Sequence, residues 1–450
     1  MSKVRIGIIG CGVRTAWIAS CMRGVDGDVS VAVVADPDVT SAKKRLDDAK
    51  VDYAAARFVP SCDALLEYAD DLDGVIIGTR CNLHTPLAVQ VAAAGLPIFL
   101  EKPVSITTEQ VHALHDAYLG RDDSVVVSFP LRVTPLFQRV VQIIRSGRLG
   151  AINHVQATNY VPYGGVYFGQ WYRDYDINGG LWLQKATHDF DYINQLLRSD
   201  PTAVVATSTR KIYGGEMPAD LTCGRCTVRA ECPESPESIA ARDDDGGMGR
   251  GDHACAFSTS IRHHDAGSAL IQYADGAHAA YSQNFIARRS AGQRGARVTG
   301  YLATLSFDWY TNSIQIIEHH GSGVENIEVT VPDAHHGGDA ALARNFIGVM
   351  RNEETSLAPL RDGLLSAAMC IAARASETSR CLEPVALPPR TDQHRLQAVD
   401  GVPRVQVTLG RGLRVGGMAT TAGSKDANGN GDGAGNGAAN GAGDAAQPSR

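Results

Sequence analysis

The chain has 450 residues, of which 44% are hydrophobic and 20% charged, and its formal net charge is −7 at pH 7. This length predicts two domains, and the composition is ordinary for a globular protein. An acidic balance argues against a nucleic-acid partner, and no apolar run reaches the roughly 18 residues that a membrane span needs. The first residues do not show the pattern of a secretory leader, so we expect a cytoplasmic protein with reduced thiols.

The first 130 residues alternate short apolar runs with helical patterns. Strands are predicted at 4–9, 29–35, 74–78, 97–100 and 125–128, and helices at 13–22 and 40–48. Continuous apolar strands that alternate with helices indicate a parallel sheet covered on both faces. We therefore predict an α/β protein whose residues 1–130 form a doubly wound Rossmann domain.

The pattern changes after residue 131. A helix is predicted at 135–144, β-like stretches at 152–160, 203–212, 268–273, 277–285 and 314–316, and further helices near 186–198, 339–351 and 363–380. The spacing predicts an α+β domain over 131–415 with a large, mainly antiparallel sheet, which would bind substrate and form oligomer contacts. Within its cysteine-containing insertion, 214–256, the polar stretch 234–254 is expected to be a mobile surface excursion. The Gly/Ala/Asn-rich stretch 416–450 is expected to be a disordered tail.

A glycine-rich turn, Gly10-Cys11-Gly12-Val13-Arg14-Thr15, follows the first strand and opens the first helix. Gly10 permits a tight turn, and Gly12 lets the backbone approach a pyrophosphate at the helix N-terminus. Asp36 ends the second strand, where a carboxylate binds ribose hydroxyls and repels the 2′-phosphate of NADP. Thr15 departs from the usual third glycine. A structural turn beside a solvated aspartate is the alternative, but the order of strand, turn, helix and acid favours NAD.

Two further motifs follow strands of the predicted parallel sheet, where such folds bind ligands, and a third motif lies in the second domain. They are Thr79-Arg80-Cys81-Asn82-Leu83-His84, then Glu101-Lys102-Pro103, and then Gly179-Gly180-Leu181-Trp182-Leu183-Gln184-Lys185-Ala186-Thr187-His188-Asp189-Phe190-Asp191. In this order the chain resembles the glucose–fructose oxidoreductase and inositol dehydrogenase family over residues 4–400. Further landmarks are Arg132, Ser146-Gly147-Arg148-Leu149-Gly150 and His336-Gly337-Gly338-Asp339.

The resemblance implies an NAD-dependent dehydrogenase or reductase that acts on a secondary alcohol or ketone of a sugar, cyclitol or related polyol. It implies that Lys102 lies beside the nicotinamide and the substrate hydroxyl, and that His188 is the general base. A histidine that titrates near neutrality suits proton removal, and an ammonium stabilises a developing alkoxide. Without the resemblance, an isolated histidine is more often structural. By analogy we also expect a homo-oligomer, either a dimer or a tetramer.

One position departs from the family. An aspartate often stands four residues before the histidine, where this chain has Gln184 followed by Lys185. We expect Lys185 to face the substrate, where it would lower the pKa of His188 or take part directly in catalysis together with Lys102 and His188.

We predict cofactor contacts from Gly10, Gly12, Val13, Arg14, Asp36, Thr79, Asn82, His84, Glu101, Lys102 and Arg132. We predict substrate contacts from Lys102, Tyr163, Trp171, Arg173, His188, Asp191 and His336. The aromatic residues of this set suit a wall that stacks on sugar C–H faces, and they equally suit the core of a domain interface.

Four cysteines of the insertion, Cys223, Cys226, Cys232 and Cys255, predict a structural zinc site. The alternative is unrelated thiols or a surface disulfide, because a second Cys-x-x-Cys pair is missing.

Two other functions are compatible with these motifs. One is a redox-assisted glycosidase or lyase that retains NAD. The other is a non-catalytic dinucleotide-binding regulator, which predicts loss of the lysine and the histidine, yet Lys102 and His188 are both present.

Overall fold

Two β-sheets organise the residues that the computed structural model describes, which are 3–242, 246–249, 251–330 and 337–387. The strands are β1 (Val4–Ile9), β2 (Val29–Ala35), β3 (Arg57–Val59), β4 (Gly74–Ile77), β5 (Ile98–Leu100), β6 (Val125–Val127), β7 (Ile152–Tyr160), β8 (Pro201–Thr209), β9 (Ala266–Tyr273), β10 (His278–Asn284), β11 (Gln293–Gly300), β12 (Ala303–Asp308), β13 (Ser313–Glu318), β14 (Val324–Glu328) and β15 (Glu383–Pro384). The helices are α1 (Val13–Val25), α2 (Val39–Asp48), α3 (Cys62–Leu66), α4 (Cys81–Ala93), α5 (Thr108–Ala117), α6 (Pro135–Arg145), α7 (Val166–Gly169), α8 (Tyr175–Asn178), α9 (Thr187–Leu197), α10 (Pro236–Arg242), α11 (Gly338–Met350) and α12 (Leu360–Ser379).

The N-terminal sheet has the order β3-β2-β1-β4-β5-β6, and its strands pair in parallel. Every residue of β4, β5 and β6 is buried, as expected for a sheet with helices on both faces. The predicted Rossmann sheet is confirmed. Because the strand order reverses between β1 and β4, a ligand crevice is expected at their carboxyl ends.

The second sheet has nine strands in the order β14-β13-β12-β11-β7-β10-β9-β8-β15. Strands β7 and β10 pair in parallel, and the other described neighbours pair antiparallel. Side chains of β9 and β10 alternate between the core and the surface, and helices α9 and α12 pack on the sheet. The prediction of a large, mainly antiparallel sheet is confirmed.

The last two helices return to the N-terminal sheet. Helix α11 packs on α1, and the ring of Phe346 meets the ring of Phe99 edge-on, with 5.8 Å between the centroids. Met350 lies so close to Gly74 that a Cβ atom there would be 2.7 Å from its sulfur. Helices α11 and α12 therefore complete the core beneath the Rossmann sheet.

The stretch 234–254 is packed where it is described. It contains α10, and its residues Ile239 and Met248 are buried in a second hydrophobic cluster with Phe168, Tyr213 and Phe285. Two apolar side chains therefore anchor this otherwise polar sequence, whereas Glu237, Ala240 and Arg242 are exposed, and its mobility stays a prediction. The predicted tail at 416–450 lies outside the described residues, among which no helix is long and apolar enough to cross a membrane.

Candidate active site

The glycine-rich turn lies at the carboxyl ends of β1 and β4. Gly10 has φ +78°, and a Cβ atom there would lie 2.5 Å from the Thr79 side chain, so only glycine fits. Gly12 begins α1 as its N-cap, and a Cβ atom there would meet only the Gly78 carbonyl oxygen, at 3.8 Å. Val13 is 77% exposed. The amino end of α1 is thus open, and its backbone N–H groups suit a pyrophosphate.

Asp36 is held in one orientation at the end of β2. Its two carboxylate oxygens accept hydrogen bonds from the backbone N–H groups of Cys11 and Asp38, each at 2.8 Å. Only 8% of the residue is exposed. A fixed carboxylate beside the glycine turn can accept ribose hydroxyls and repels a 2′-phosphate, so these residues fit NAD.

The side chains of Arg14 and Glu101 bind each other at 3.1 Å instead of projecting into open space. Arg14 also forms an ion pair with buried Asp339 at 2.5 Å, and the Trp17 indole N–H donates to the same carboxylate at 3.0 Å. This network ties α1 to α11 and to the residue before Lys102. The sequence offered Asp339 only as a family landmark and gave Trp17 no role, because Arg14 and Trp17 both lie more than 300 residues from Asp339 along the chain.

The His84 ring contacts the backbone of the loop that carries Lys102. Its ring nitrogens lie 2.8 Å from the Pro103 carbonyl oxygen and 3.2 Å from that of Thr79, and burial lowers the pKa of the ring. Its ring therefore contacts backbone and not an open site. Asn82, in the first turn of α4, has a buried side-chain oxygen without a hydrogen-bond partner in the described structure.

Lys102 connects the end of β5 to the glycine-rich motif of the second half. Its Nζ donates to the backbone carbonyl of Gln184 at 2.8 Å. Burial lowers the pKa of Lys102 to about 8, and the charge of Lys185 adds to this effect. The side chain of Gln184 accepts a hydrogen bond from the Cys81 thiol at 3.2 Å.

Lys185 lies on a π-helical turn, Trp182–Ala186, just before α9. Only 4% of Lys185 is exposed, and its ammonium donates to the phenol oxygen of Tyr163, with Nζ 4.5 Å from the centre of the ring. Burial lowers the pKa of Lys185, as does the nearby charge of Arg294. The side-chain partner of Lys185 is thus Tyr163, and that Lys185 faces the substrate stays a prediction.

Asp189 is fully buried and saturated with hydrogen bonds. It accepts hydrogen bonds from Arg294 Nε at 2.9 Å, from Asn159 at 2.6 Å and from Tyr281 at 2.8 Å, and Arg294 Nη2 lies 2.8 Å from the same carboxylate as an ion pair. Sequence reasoning missed Arg294, because its strand, β11, was not predicted and nothing in the sequence marked this arginine as buried. Because Arg294 balances Asp189, that carboxylate does not bind Lys185.

His188 lies in the first turn of α9, with its ring edge-on to Phe129 at a centroid distance of 5.8 Å. Its Nδ1 is buried and has no hydrogen-bond partner among the described residues. Burial lowers the pKa of His188 well below its ordinary value, and the charges of Lys102, Arg294 and Lys185 lower it further. His188 is therefore neutral and weakly basic.

Other predicted site residues lie elsewhere or bind protein groups. Arg132 and Asp191 form a buried pair with 3.0 Å between Nε and a carboxylate oxygen, so neither side chain is free for a ligand. Arg173 donates to Ser258 at 2.5 Å and to Ser260 at 2.8 Å. The guanidinium of Arg80 lies 3.8 Å from the centre of the Trp171 ring, and His336 is outside the described residues.

Of the four cysteines of the insertion, Cys223 and Cys255 lie near each other. A backbone bridge between Thr222 and Ala254 brings Cys223 near Cys255, and the Cys223 sulfur lies 3.8 Å from the His253 ring. Burial raises the pKa of the Cys223 thiol to about 11. Within the described ranges, no group of three or more His, Cys, Asp or Glu side chains is arranged to hold a metal ion. The arrangement does not support the predicted zinc site.

A Rossmann sheet with an open glycine turn, a fixed aspartate after its second strand and a lysine that contacts the segment before α9 is typical of a dinucleotide-binding oxidoreductase fold. The model of the oxidoreductase family with an NAD-binding Rossmann fold matches residues 4–129, and that of the GFO/IDH/MocA C-terminal domain matches 137–306. The chain belongs to this family.

Named relatives and solved structures agree with this assignment. Inositol 2-dehydrogenase of Rhizobium meliloti (strain 1021) is 31% identical over 46% of this chain and 58% of its own length. The rhizopine catabolism protein MocA of Rhizobium meliloti is 25% identical over 49% of this chain and 65% of its own length. The matched stretches thus span less than two thirds of these relatives. A levoglucosan dehydrogenase in complex with NADH shares the fold, with TM-score 0.68 and 17% identity over 86% of this chain and 100% of its own.

Proposed function

We propose that the protein is an NAD-dependent dehydrogenase or reductase acting on a secondary alcohol or ketone of a sugar, cyclitol or related polyol. The observation that carries this proposal is the 2.8 Å contact of the Lys102 ammonium with the Gln184 carbonyl. It brings the cation that follows the dinucleotide-binding strands against the segment that carries Lys185 and His188.

Each residue has a distinct part in this proposal. NAD, when bound, supplies the hydride acceptor. Asp36 and the amino end of α1 hold the dinucleotide. The Lys102 ammonium stabilises the negative charge that develops on the substrate oxygen, and its lowered pKa keeps it close to a protonation equilibrium near neutral pH. His188 offers an unpartnered neutral nitrogen to the hydroxyl group.

The test is a panel of polyols and sugars with NAD or NADP, scored by the absorbance of the reduced cofactor. The panel includes myo-inositol and levoglucosan, because relatives are named for these compounds. We expect reduction of NAD with at least one of them, and its loss in Lys102→Ala. The matched control is Lys44→Ala, an exposed lysine on α2, which should behave as wild type. Bond cleavage without net NADH would favour the lyase or glycosidase instead, and binding without either would favour the regulator.

We further propose that the division at residue 130 separates cofactor binding from substrate binding, and that copies of the chain associate through the second sheet. The outward face of β9 exposes Leu270, at 54%. Light scattering on a size-exclusion column should give a dimer or tetramer. Leu270→Glu should lower that mass if the sheet is the interface.

A further inference from the structure

Arg80 is an exposed cation at the edge of the sheet where a ligand crevice is expected, just after β4. Its backbone forms the N-cap of α4, and its guanidinium lies 3.8 Å from the centre of the Trp171 ring. Trp171 stacks in turn on Tyr172, with 3.9 Å between the ring centroids. Both aromatic residues lie between β7 and α9, so the stack joins the carboxyl edge of the N-terminal sheet to the second half of the chain.

The stack holds the guanidinium of Arg80 and leaves its donors unused. An arginine that lies over an aromatic ring keeps the N–H groups in its own plane available for hydrogen bonds. Among the described residues, no acceptor binds these N–H groups and no carboxylate pairs with them. A planar fork of free donors matches the two oxygens of a carboxylate or phosphate group. Arg80 therefore offers a bidentate site for an anion.

Arg80 is connected to Lys102 through a short series of contacts. The next residue, Cys81, donates its thiol to the Gln184 side chain at 3.2 Å, and the Gln184 carbonyl accepts from the Lys102 ammonium at 2.8 Å. Burial raises the pKa of the Cys81 thiol to about 11, and the charges of Lys102 and Arg80 act in the opposite direction because both lie near it. Arg80 thus flanks the position proposed for the reacting oxygen.

The acidic side chains near this position are occupied by other arginines. Glu101 pairs with Arg14 at 3.1 Å, and Asp189 pairs with Arg294 at 2.8 Å. Position 184, where the resemblance implies an aspartate, carries glutamine. These residues therefore supply no negative charge to offset a further cation.

Three cations around Gln184 have no carboxylate partner within the described ranges. They are Arg80, Lys102, which binds the Gln184 carbonyl, and Lys185, which binds the Tyr163 phenol. Although burial acts to raise the pKa of Tyr163, the charge of Lys185 helps to lower it, and an ionised phenol would offset Lys185 alone. Arg80 and Lys102 remain uncompensated, and an uncompensated positive field attracts an anionic ligand.

We propose that the substrate is a sugar or polyol that carries an anionic group, a carboxylate or a phosphate, and that Arg80 binds this group. The inference rests on the proposed dehydrogenase function and leaves the parts of Lys102 and His188 in it unchanged. Arg80 determines specificity by binding the substituent, and Trp171 positions the guanidinium. The anionic group itself is bound and not transformed.

The first test compares acidic sugars with matched neutral ones. Glucuronate and glucose 6-phosphate are assayed against glucose, and gluconate against sorbitol, each with NAD. In wild type, kcat/KM for at least one acidic member should exceed that of its neutral partner about tenfold or more. Whether the carboxylate or the phosphate member is preferred identifies the anionic group.

Variants of Arg80 then separate charge from shape. Arg80→Gln should lower kcat/KM for the preferred acidic member about tenfold or more, mainly through KM, because a charge-assisted bidentate contact is lost. The value for the neutral partner should change less than about threefold. Arg80→Lys keeps the charge without the fork and should fall between wild type and Arg80→Gln. The matched control is Arg139→Gln, an exposed arginine on α6, which should behave as wild type.

The second test varies the salt concentration. From about 0.05 to 0.5 M KCl, the KM of the preferred acidic member should rise about threefold or more, because ions screen an exposed charge. The KM of its neutral partner should stay constant. In Arg80→Gln the salt dependence should shrink, which a merely structural role of Arg80 would not produce.

A preference for the neutral members, or an Arg80→Gln variant that affects acidic and neutral members equally, would overturn the proposal. A tenfold loss of NADH affinity in that variant, measured by fluorescence titration, would also overturn it, because Arg80 would then bind the cofactor. If no member reduces NAD, the dehydrogenase function fails, and calorimetric titration of the NADH-bound protein with glucuronate and glucose 6-phosphate decides the Arg80 site. Binding that Arg80→Gln weakens about tenfold supports the site, and no difference between the two proteins overturns it.

Discussion

The buried pair of Arg132 and Asp191 should support the fold and not the cofactor. Arg132 donates to Asp191, to the Leu357 carbonyl at 2.9 Å and to Asp362 at 2.8 Å, and so connects the segment after β6 to α9 and α12. Arg132→Met leaves Asp191 buried without its cation. Removing one partner of such a pair typically costs about 3–5 kcal/mol.

The two substitutions should differ in size. Asp191→Asn leaves Arg132 with Asp362, whose side chain is 27% exposed, and with the Leu357 carbonyl, so we expect a smaller loss of about 1–3 kcal/mol. The double variant Arg132→Met/Asp191→Leu should lose less than Arg132→Met alone, because no unpaired buried charge is left. Arg139→Met, on the exposed side of α6, should stay within about 0.5 kcal/mol of wild type.

The assay is urea denaturation of each variant, accompanied by fluorescence titration with NADH in the absence of denaturant. We expect the loss of unfolding free energy to be largest for Arg132→Met, smaller for Asp191→Asn and for the double variant, and smallest for Arg139→Met. The NADH dissociation constant of the folded protein should change less than about threefold, which is below 1 kcal/mol. The reasoning fails if Arg132→Met loses less than about 1 kcal/mol of stability yet weakens NADH binding tenfold or more. That result would return Arg132 to the cofactor site.

Four further predictions address the cofactor, the lysine and the cysteines. Gly10→Ala should abolish NADH binding in a fluorescence titration, because a methyl group would meet Thr79 at 2.5 Å in a left-handed backbone, and normal affinity would contradict the assigned turn. Asp36→Ala should narrow the preference for NAD over NADP by about tenfold or more, measured as the ratio of their kcat/KM values, since a repelling carboxylate is lost; an unchanged ratio would remove Asp36 from the ribose site. Lys102→Met should stabilise the protein at pH 7 by about 1–3 kcal/mol, because the folded pKa of about 8 lies below the unfolded 10.5 and a charged Lys102 is disfavoured in the fold. This gain should shrink as the pH of the urea denaturation rises from about 8 to 10.5, because folding of wild type then releases the Lys102 proton and the free-energy cost of that release falls with pH; a constant gain would refute it. Elemental analysis should find less than about a tenth of an equivalent of zinc, and one equivalent would instead restore the predicted four-cysteine site.

Local patterns predicted most of the scaffold. The apolar runs of β1, β2 and β4 and the turn at Gly10 follow from near-neighbour sequence, because strand burial and positive φ leave local signatures. Strands β11 and β12 were not predicted. Arg294 and Gly295 interrupt the apolar alternation of β11, although both residues are buried against neighbouring elements.

The candidate site was predicted as a set of residues and not as a set of contacts. Arg132 and Asp191 were assigned to two different ligands, and the structure shows that they satisfy each other across 59 positions of sequence. The partner of Lys102 is a backbone carbonyl, which no side-chain identity encodes. Long-range pairing of charges is decided by the fold, so it could not be inferred from spacing along the chain.

The anchoring of Lys102 by a main-chain oxygen has a consequence for how such a site can diverge. Every residue type at position 184 offers the same carbonyl, so replacing Gln184 changes what faces the Cys81 thiol without releasing the lysine. The position of the Lys102 ammonium is thereby independent of the side chain at position 184. A chain built this way can carry glutamine at position 184, where the resemblance implies an aspartate, and still keep Lys102 in place.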